Sequence, residues 1–151
     1  MIAVGGDKLV ITIDGVRLAL ETSDVAGIVE VSKLPFLPGR KGFVSGIISL
    51  RGEPVTVADL KKAFGLDPGE NGAHKIIVLR DAACTLGLDA GGAEVSFIWA
   101  EGLKDKTVTE KVLGYVKGTI ETDEGPIGLV DWKRIFEDAA KLLSVADGMR
   151  A

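Results

Sequence analysis

Leu37-Pro38-Gly39-Arg40-Lys41-Gly42-Phe43-Val44-Ser45-Gly46-Ile47-Ile48-Ser49-Leu50-Arg51-Gly52 is the stretch on which the reading of this chain turns. A segment holding Pro35, Pro38 and Gly39 gives way to an apolar run, Phe43 to Leu50, and Arg51-Gly52-Glu53-Pro54 punctuates that run. Proline fixes φ and removes a donor, and glycine supplies conformations closed to other residues, so the first segment reads as turn and the second as strand. Val55 to Val57 resumes as a strand. Ala58 to Phe64 then has helical spacing, with Leu60 and Phe64 on one face and Gly65 placed to stop it after one or two turns.

Toward the N-terminus, Val25 to Val31 reads as a strand. Before it, Leu9 to Ile13, Asp14-Gly15 and Val16 to Leu20 place a two-residue Asp-Gly between alternating runs, which predicts a hairpin. Toward the C-terminus, the polar break from Asp67 to Gly72 is a candidate lobe boundary. Past it, Lys75 to Arg80, Thr85 to Asp89, Glu94 to Trp99, Val112 to Thr122 and Pro126 to Val130 read as further strands, with Asp123-Glu124-Gly125 as a turn. Trp132, Ile135, Phe136, Ala139, Ala140, Leu142 and Leu143 recur at spacings of three and four, which predicts an amphipathic helix near 132–145 with Asp131 as its N-cap. Many β-branched residues and 20 glycines agree with short strands joined by tight turns, so the fold class is mainly β.

At 151 residues and 46% apolar, the chain can bury a core in one domain, or in two small lobes that share one. Cys84 is the sole cysteine, which removes any internal disulfide and fits a reducing compartment. No signal peptide or 18-residue apolar run is present, so a cytoplasmic protein is expected. The formal charge of -4 would repel nucleic acid and anionic lipid, and Arg40-Lys41 and Lys104, Lys106 and Lys111 read as solvated surface.

Chemistry is sparse. His74 is the one histidine and lies in the polar Gly-rich break, without a nucleophile beside it in sequence, so it reads as a surface residue. His74 and Cys84 have no partners at metal-ligand spacing, so no metal or cofactor is expected. Neither Gly87 to Gly92 nor Gly65 to Gly72 makes a phosphate loop, and Asp123-Glu124 reads as a solvated turn. A β-barrel that binds nucleic acid is the alternative. Its aromatic platforms are missing, because the aromatics do not interleave with Lys or Arg along one strand; Trp99 and Trp132 read as core or interface anchors. Elimination points to a non-catalytic protein-interaction module.

Residues 37–52 also resemble the signature of CheW-like domains, in which a Pro-containing loop runs into Gly-Val-Ile-Asn-Leu-Arg-Gly and an apolar strand ends in Asp-Leu. Val57-Ala58-Asp59-Leu60 supplies that ending at the family's spacing from Arg51-Gly52, and the order of elements agrees over about residues 8 to 143. The resemblance implies one domain over 8–143, built as two small five-stranded SH3-like β-barrels sharing an apolar core, with 1–7 and 146–151 as flexible ends. It implies a chemotaxis adaptor that couples the cytoplasmic tip of methyl-accepting chemoreceptors to the regulatory domain of a CheA-type histidine kinase, a monomer when alone. Carried over residue by residue, Val25, Ile28 and Arg51 are the receptor-binding positions. Arg51 as a structural ion pair, and Val25 and Ile28 as core, are the competing readings. Val31 and Leu34 are the kinase-binding positions, with core as the competing reading for an apolar residue leading into the Pro35 turn, and Gly46 and Gly52 are structural turns. The sequence departs from the family at Gly27, where an acidic residue is usual, and at Thr56, where proline is usual.

Overall fold

The computed structural model describes residues 6–33, 42–66, 72–100, 105–107 and 114–148. The chain runs β1 (Lys8–Ile13), β2 (Val16–Glu21), a 3-10 turn (Thr22–Asp24), β3 (Val25–Val31), β4 (Val44–Leu50), β5 (Glu53–Asp59), α1 (Leu60–Ala63), β6 (His74–Arg80), β7 (Thr85–Asp89), β8 (Glu94–Ile98), β9 (Asp105–Thr107), β10 (Val116–Thr122), β11 (Gly125–Val130) and α2 (Trp132–Gly148). The strands form a six-stranded sheet in the order β8-β1-β2-β11-β10-β9 and a five-stranded sheet in the order β3-β6-β7-β5-β4. The first lobe therefore interleaves the N-terminal hairpin with the last strands, and the second holds residues 25–89.

Three cores explain why several strands are apolar without alternation. In β6, Ile77 and Leu79 face a core shared with the first sheet, while Ile76 and Val78 face a core lined only by second-lobe residues, among them Ile48, Val55 and Val57. In β1 and β2, Leu9, Ile11, Leu18 and Leu20 face the shared core, and Val10 and Ala19 face a third core with Ile120 and Ile127. Successive strand residues point to opposite faces, so a strand buried on both faces is apolar throughout. Each sheet curls over its own small core, and the two outer faces pack together. Trp132 and Ile135 of α2 complete the shared core.

Several expectations need correction. The mainly β, two-lobed fold is as expected, but the strand order is open in both sheets, so the lobes are curled sheets that do not close through hydrogen bonds among the described residues, and β9 adds a sixth strand to the first. The break at 67–72 is no lobe boundary: β7, beyond it, pairs in parallel with β5, through Val57↔Gly87 to Asp59↔Asp89. Ala58 and Asp59 remain in β5, which leaves α1 a single turn capped by Asp59, whose carboxylate accepts from the Lys62 backbone N–H at 3.2 Å. Asp131 caps α2 similarly, accepting from Arg134 N–H at 3.3 Å. The expected loose end at 1–7 is packed at its last two residues. Gly6 is so close to β8 that an added Cβ would overlap the Ile98 backbone, and Asp7 accepts from the Ala100 N–H at 2.6 Å. Residues 1–5 and 149–151 lie outside the described residues.

Candidate protein-interaction site

β3 is one edge of the second lobe's sheet and carries a bulge between Val25 and Gly27. The bulge is what lets Val25 and Ile28, three positions apart, pair with Leu79 and Ile77 and so share the face turned toward the first lobe. Val25 is half-buried against the shared core, whereas Ile28 is 40% exposed, enough for a large aliphatic side chain to be available to a partner. Gly27, within the bulge, has open space where a Cβ would stand.

At the other edge, Leu50 and Glu53 close the β4–β5 hairpin around Arg51-Gly52, with φ of 52° and 82°. Two successive left-handed residues make the turn whose twist matches the flanking strands, and Gly52 serves it by conformation, since nothing lies within 4 Å of an added Cβ. Arg51 is exposed, and among the described residues no carboxylate pairs with it. The ion pair at this turn is made by its neighbour Glu53 with Arg80, at 3.4 Å. Arg80 directly follows Leu79, the partner of Val25, so Val25 and Arg51 lie at the same end of the lobe. Gly46 lies within β4, at its bulge and buried, rather than in a turn.

The opposite end of that sheet holds Val31, paired with His74. Val31 packs on the second lobe's own core, and Leu34 lies outside the described residues. His74 is no isolated surface residue: its Nδ1 lies 2.6 Å from Asp89 Oδ2, and Asp89 is 5% exposed and also accepts from Gly91 N–H at 2.8 Å. Buried polar groups are paired because an unpaired one is costly, and this pair closes the end of the small core. No sequence signal marks the pair; the register of β6 against β7, in which Ile76 opposes Asp89, brings the two side chains together. The structure thus brings Val25, Ile28 and Arg51 to one sheet and Val25 and Arg51 to one end of it, with Val31 at the other.

Several other polar groups pair within the fold. Lys133 pairs with Asp81 at 2.8 Å and, with the Ala83 and Cys84 N–H groups, holds the Asp81 carboxyl well below the usual carboxylate range. Burial and the neighbouring Asp81 push the Cys84 thiol up, away from the reactive thiolate. Burial works against the charge of Lys8, but its hydrogen bonds to Glu21 and Asp7 outweigh it and the net shift is upward. Among the described residues no group of three His, Cys, Asp or Glu could hold a metal, and no helix is long and apolar enough to cross a membrane. The two tryptophans separate: Trp132 is core at 3% exposed, and Trp99, just past β8, is 65% exposed.

The sequence model of the CheW-like domain family matches residues 7–140. The chain belongs to that family. It is 29% identical over 127 residues to the chemotaxis protein CheW of Thermotoga maritima, covering 83% of this chain and 84% of that one. It is also similar to the crystal structure of the scaffolding protein TtCheW from Thermoanaerobacter tengcongensis. That match has a TM-score of 0.67 and 26% identity, over 83% of this chain and 88% of that one. Membership places the chain among non-catalytic chemotaxis scaffolds.

Proposed function

We propose that this CheW-like chain is a cytoplasmic adaptor that couples chemoreceptor tips to a CheA-type histidine kinase, and that it is a monomer when alone. Receptor contact is assigned to Val25, Ile28 and Arg51, and kinase contact to Val31 with Leu34. The observation that carries the receptor assignment is the exposed Ile28 on the inter-lobe face of β3, with an exposed Arg51 that has no carboxylate partner among the described residues at the Val25 end. Such a surface suits a helical partner. Its i, i+3 and i+4 apolar anchors would be buried against Val25 and Ile28, and a rim guanidinium would orient it.

The test is calorimetric titration with a receptor-tip fragment and, separately, with a kinase regulatory domain. Ile28→Ser and Arg51→Ala are expected to weaken receptor binding about tenfold or more each while leaving kinase binding unchanged. Val31→Ser is expected to do the reverse. Absence of binding to both partners by the wild-type chain at high micromolar concentration would refute the assignment.

A further inference from the structure

The first turn of α2 adds directional polar contacts to the apolar interface between the lobes. β11 of the first lobe ends at Val130, and α2 begins at Trp132, so the helix leaves directly from that lobe. Its first residue, Trp132, is buried, and the indole Nε1–H donates to Asp24 Oδ2 at 3.1 Å. Asp24 ends the 3-10 turn by which the chain passes from β2 of the first lobe into β3 of the second. Its second residue, Lys133, pairs with Asp81 at 2.8 Å. Asp81 opens the turn between β6 and β7, two positions past Leu79, the partner of Val25. One turn further, Asp138 accepts from the Tyr115 hydroxyl at 2.6 Å, and the Tyr115 ring meets Phe43 and Phe64 of the second lobe edge-on at 5.9 and 6.1 Å.

Hydrophobic contact is non-directional, so a shared apolar core constrains the angle between the lobes less sharply than hydrogen bonds and ion pairs, which select one geometry. We propose that the first turn of α2 is a strap that sets how β3 stands against the first lobe. Trp132 and Asp24 are then positioning residues for the surface formed by Val25 and Ile28. Trp132 cannot meet a partner itself, being buried. Its effect passes through Asp24 to the adjacent Val25. The consequence for receptor affinity rests on the adaptor reading above; the consequence for β3 does not.

The test uses the full chain with Trp132→Phe, which keeps an aromatic ring and removes the donor, Asp24→Ala, which removes the acceptor, and Asp24→Asn, which restores one. Amide hydrogen exchange is expected to show protection across Val25–Ile28 lowered about tenfold in Trp132→Phe and Asp24→Ala, close to wild type in Asp24→Asn, and unchanged in β1 and β10. Affinity for the receptor-tip fragment should fall in the same two variants and that for the kinase regulatory domain should not. Protection in β3 within twofold of wild type in both variants would overturn the strap, and so would an equal loss across both lobes, which marks Trp132 as core packing only. If the wild-type chain binds no receptor tip, the adaptor reading fails while the exchange measurement still decides the strap.

Discussion

Arg51 holds a φ of 52°, a region where a residue with a Cβ is disfavoured, and glycine is the residue that would relieve it. Arg51 makes no ion pair among the described residues, so its side chain does not repay that strain locally. Arg51→Gly is therefore expected to leave stability unchanged or raise it by up to about 1 kcal/mol in urea denaturation. The same change should weaken receptor-tip binding about tenfold or more. A structural arginine would show the opposite signs. At this scale, the family resemblance pointed to Val25, Ile28 and Arg51 as positions to test, and the partner of His74 was not legible. Asp89 lies fifteen positions away, and only the β6–β7 register brings it within 2.6 Å.

Among the elements, the β1–β2 hairpin was legible from Asp14-Gly15 between two alternating runs, with φ of 50° and 80° as the two-residue turn requires. β9 was not, because Asp105-Lys106-Thr107 has no apolar alternation and owes its strand to the β10 edge it joins. The short helix was read two residues too early, since Ala58 and Asp59 are kept in β5 by pairing with β7. β7 shows how tightly the second lobe's own core is filled. An added Cβ at Gly87 would lie 2.9 Å from Ile76 Cγ2 and 3.3 Å from Val57 Cγ2. Gly87→Ala is expected to cost about 1 to 3 kcal/mol in urea denaturation, since overpacking displaces neighbours that are themselves fully buried. Gly91→Ala has open space but a φ of 60°, so its cost would come from backbone strain alone.

For the whole molecule, the interleaving of the first lobe was beyond local pattern. The contact of β11 with β2, Gly128↔Leu18 and Leu129↔Ala19, joins positions more than a hundred residues apart, and no turn residue announces it. The lobes are joined by one shared core, each holds a smaller core of its own, and paired carboxylates set the pH range of stability. The Ala100 N–H holds Asp7 below its ordinary value of 3.8, and the Lys133 ammonium does the same for Asp81. Such groups contribute stability above the unfolded pKa, and that contribution is lost as pH falls through the depressed folded values. Tyr115 is pushed up from 10.0 to about 12 by burial and by Asp138, so its contribution is present below pH 10 and is lost as pH rises toward 12. Thermal unfolding across pH should show the melting temperature falling below about pH 4 and above about pH 10. Tyr115→Phe should flatten the alkaline limb, and Asp81→Asn the acid one.

An adaptor must hold two partners at once, and the assignment of receptor contact to Val25, Ile28 and Arg51 and of kinase contact to Val31 separates their sites along the second lobe. The measurement that tests this most directly is sedimentation of the full chain mixed with a receptor-tip fragment and a kinase regulatory domain together. A ternary complex with one copy of this chain joining the two is expected, lost to the receptor side alone in Arg51→Ala and to the kinase side alone in Val31→Ser. Mutual displacement of the two partners, with only binary complexes at any ratio, would contradict it.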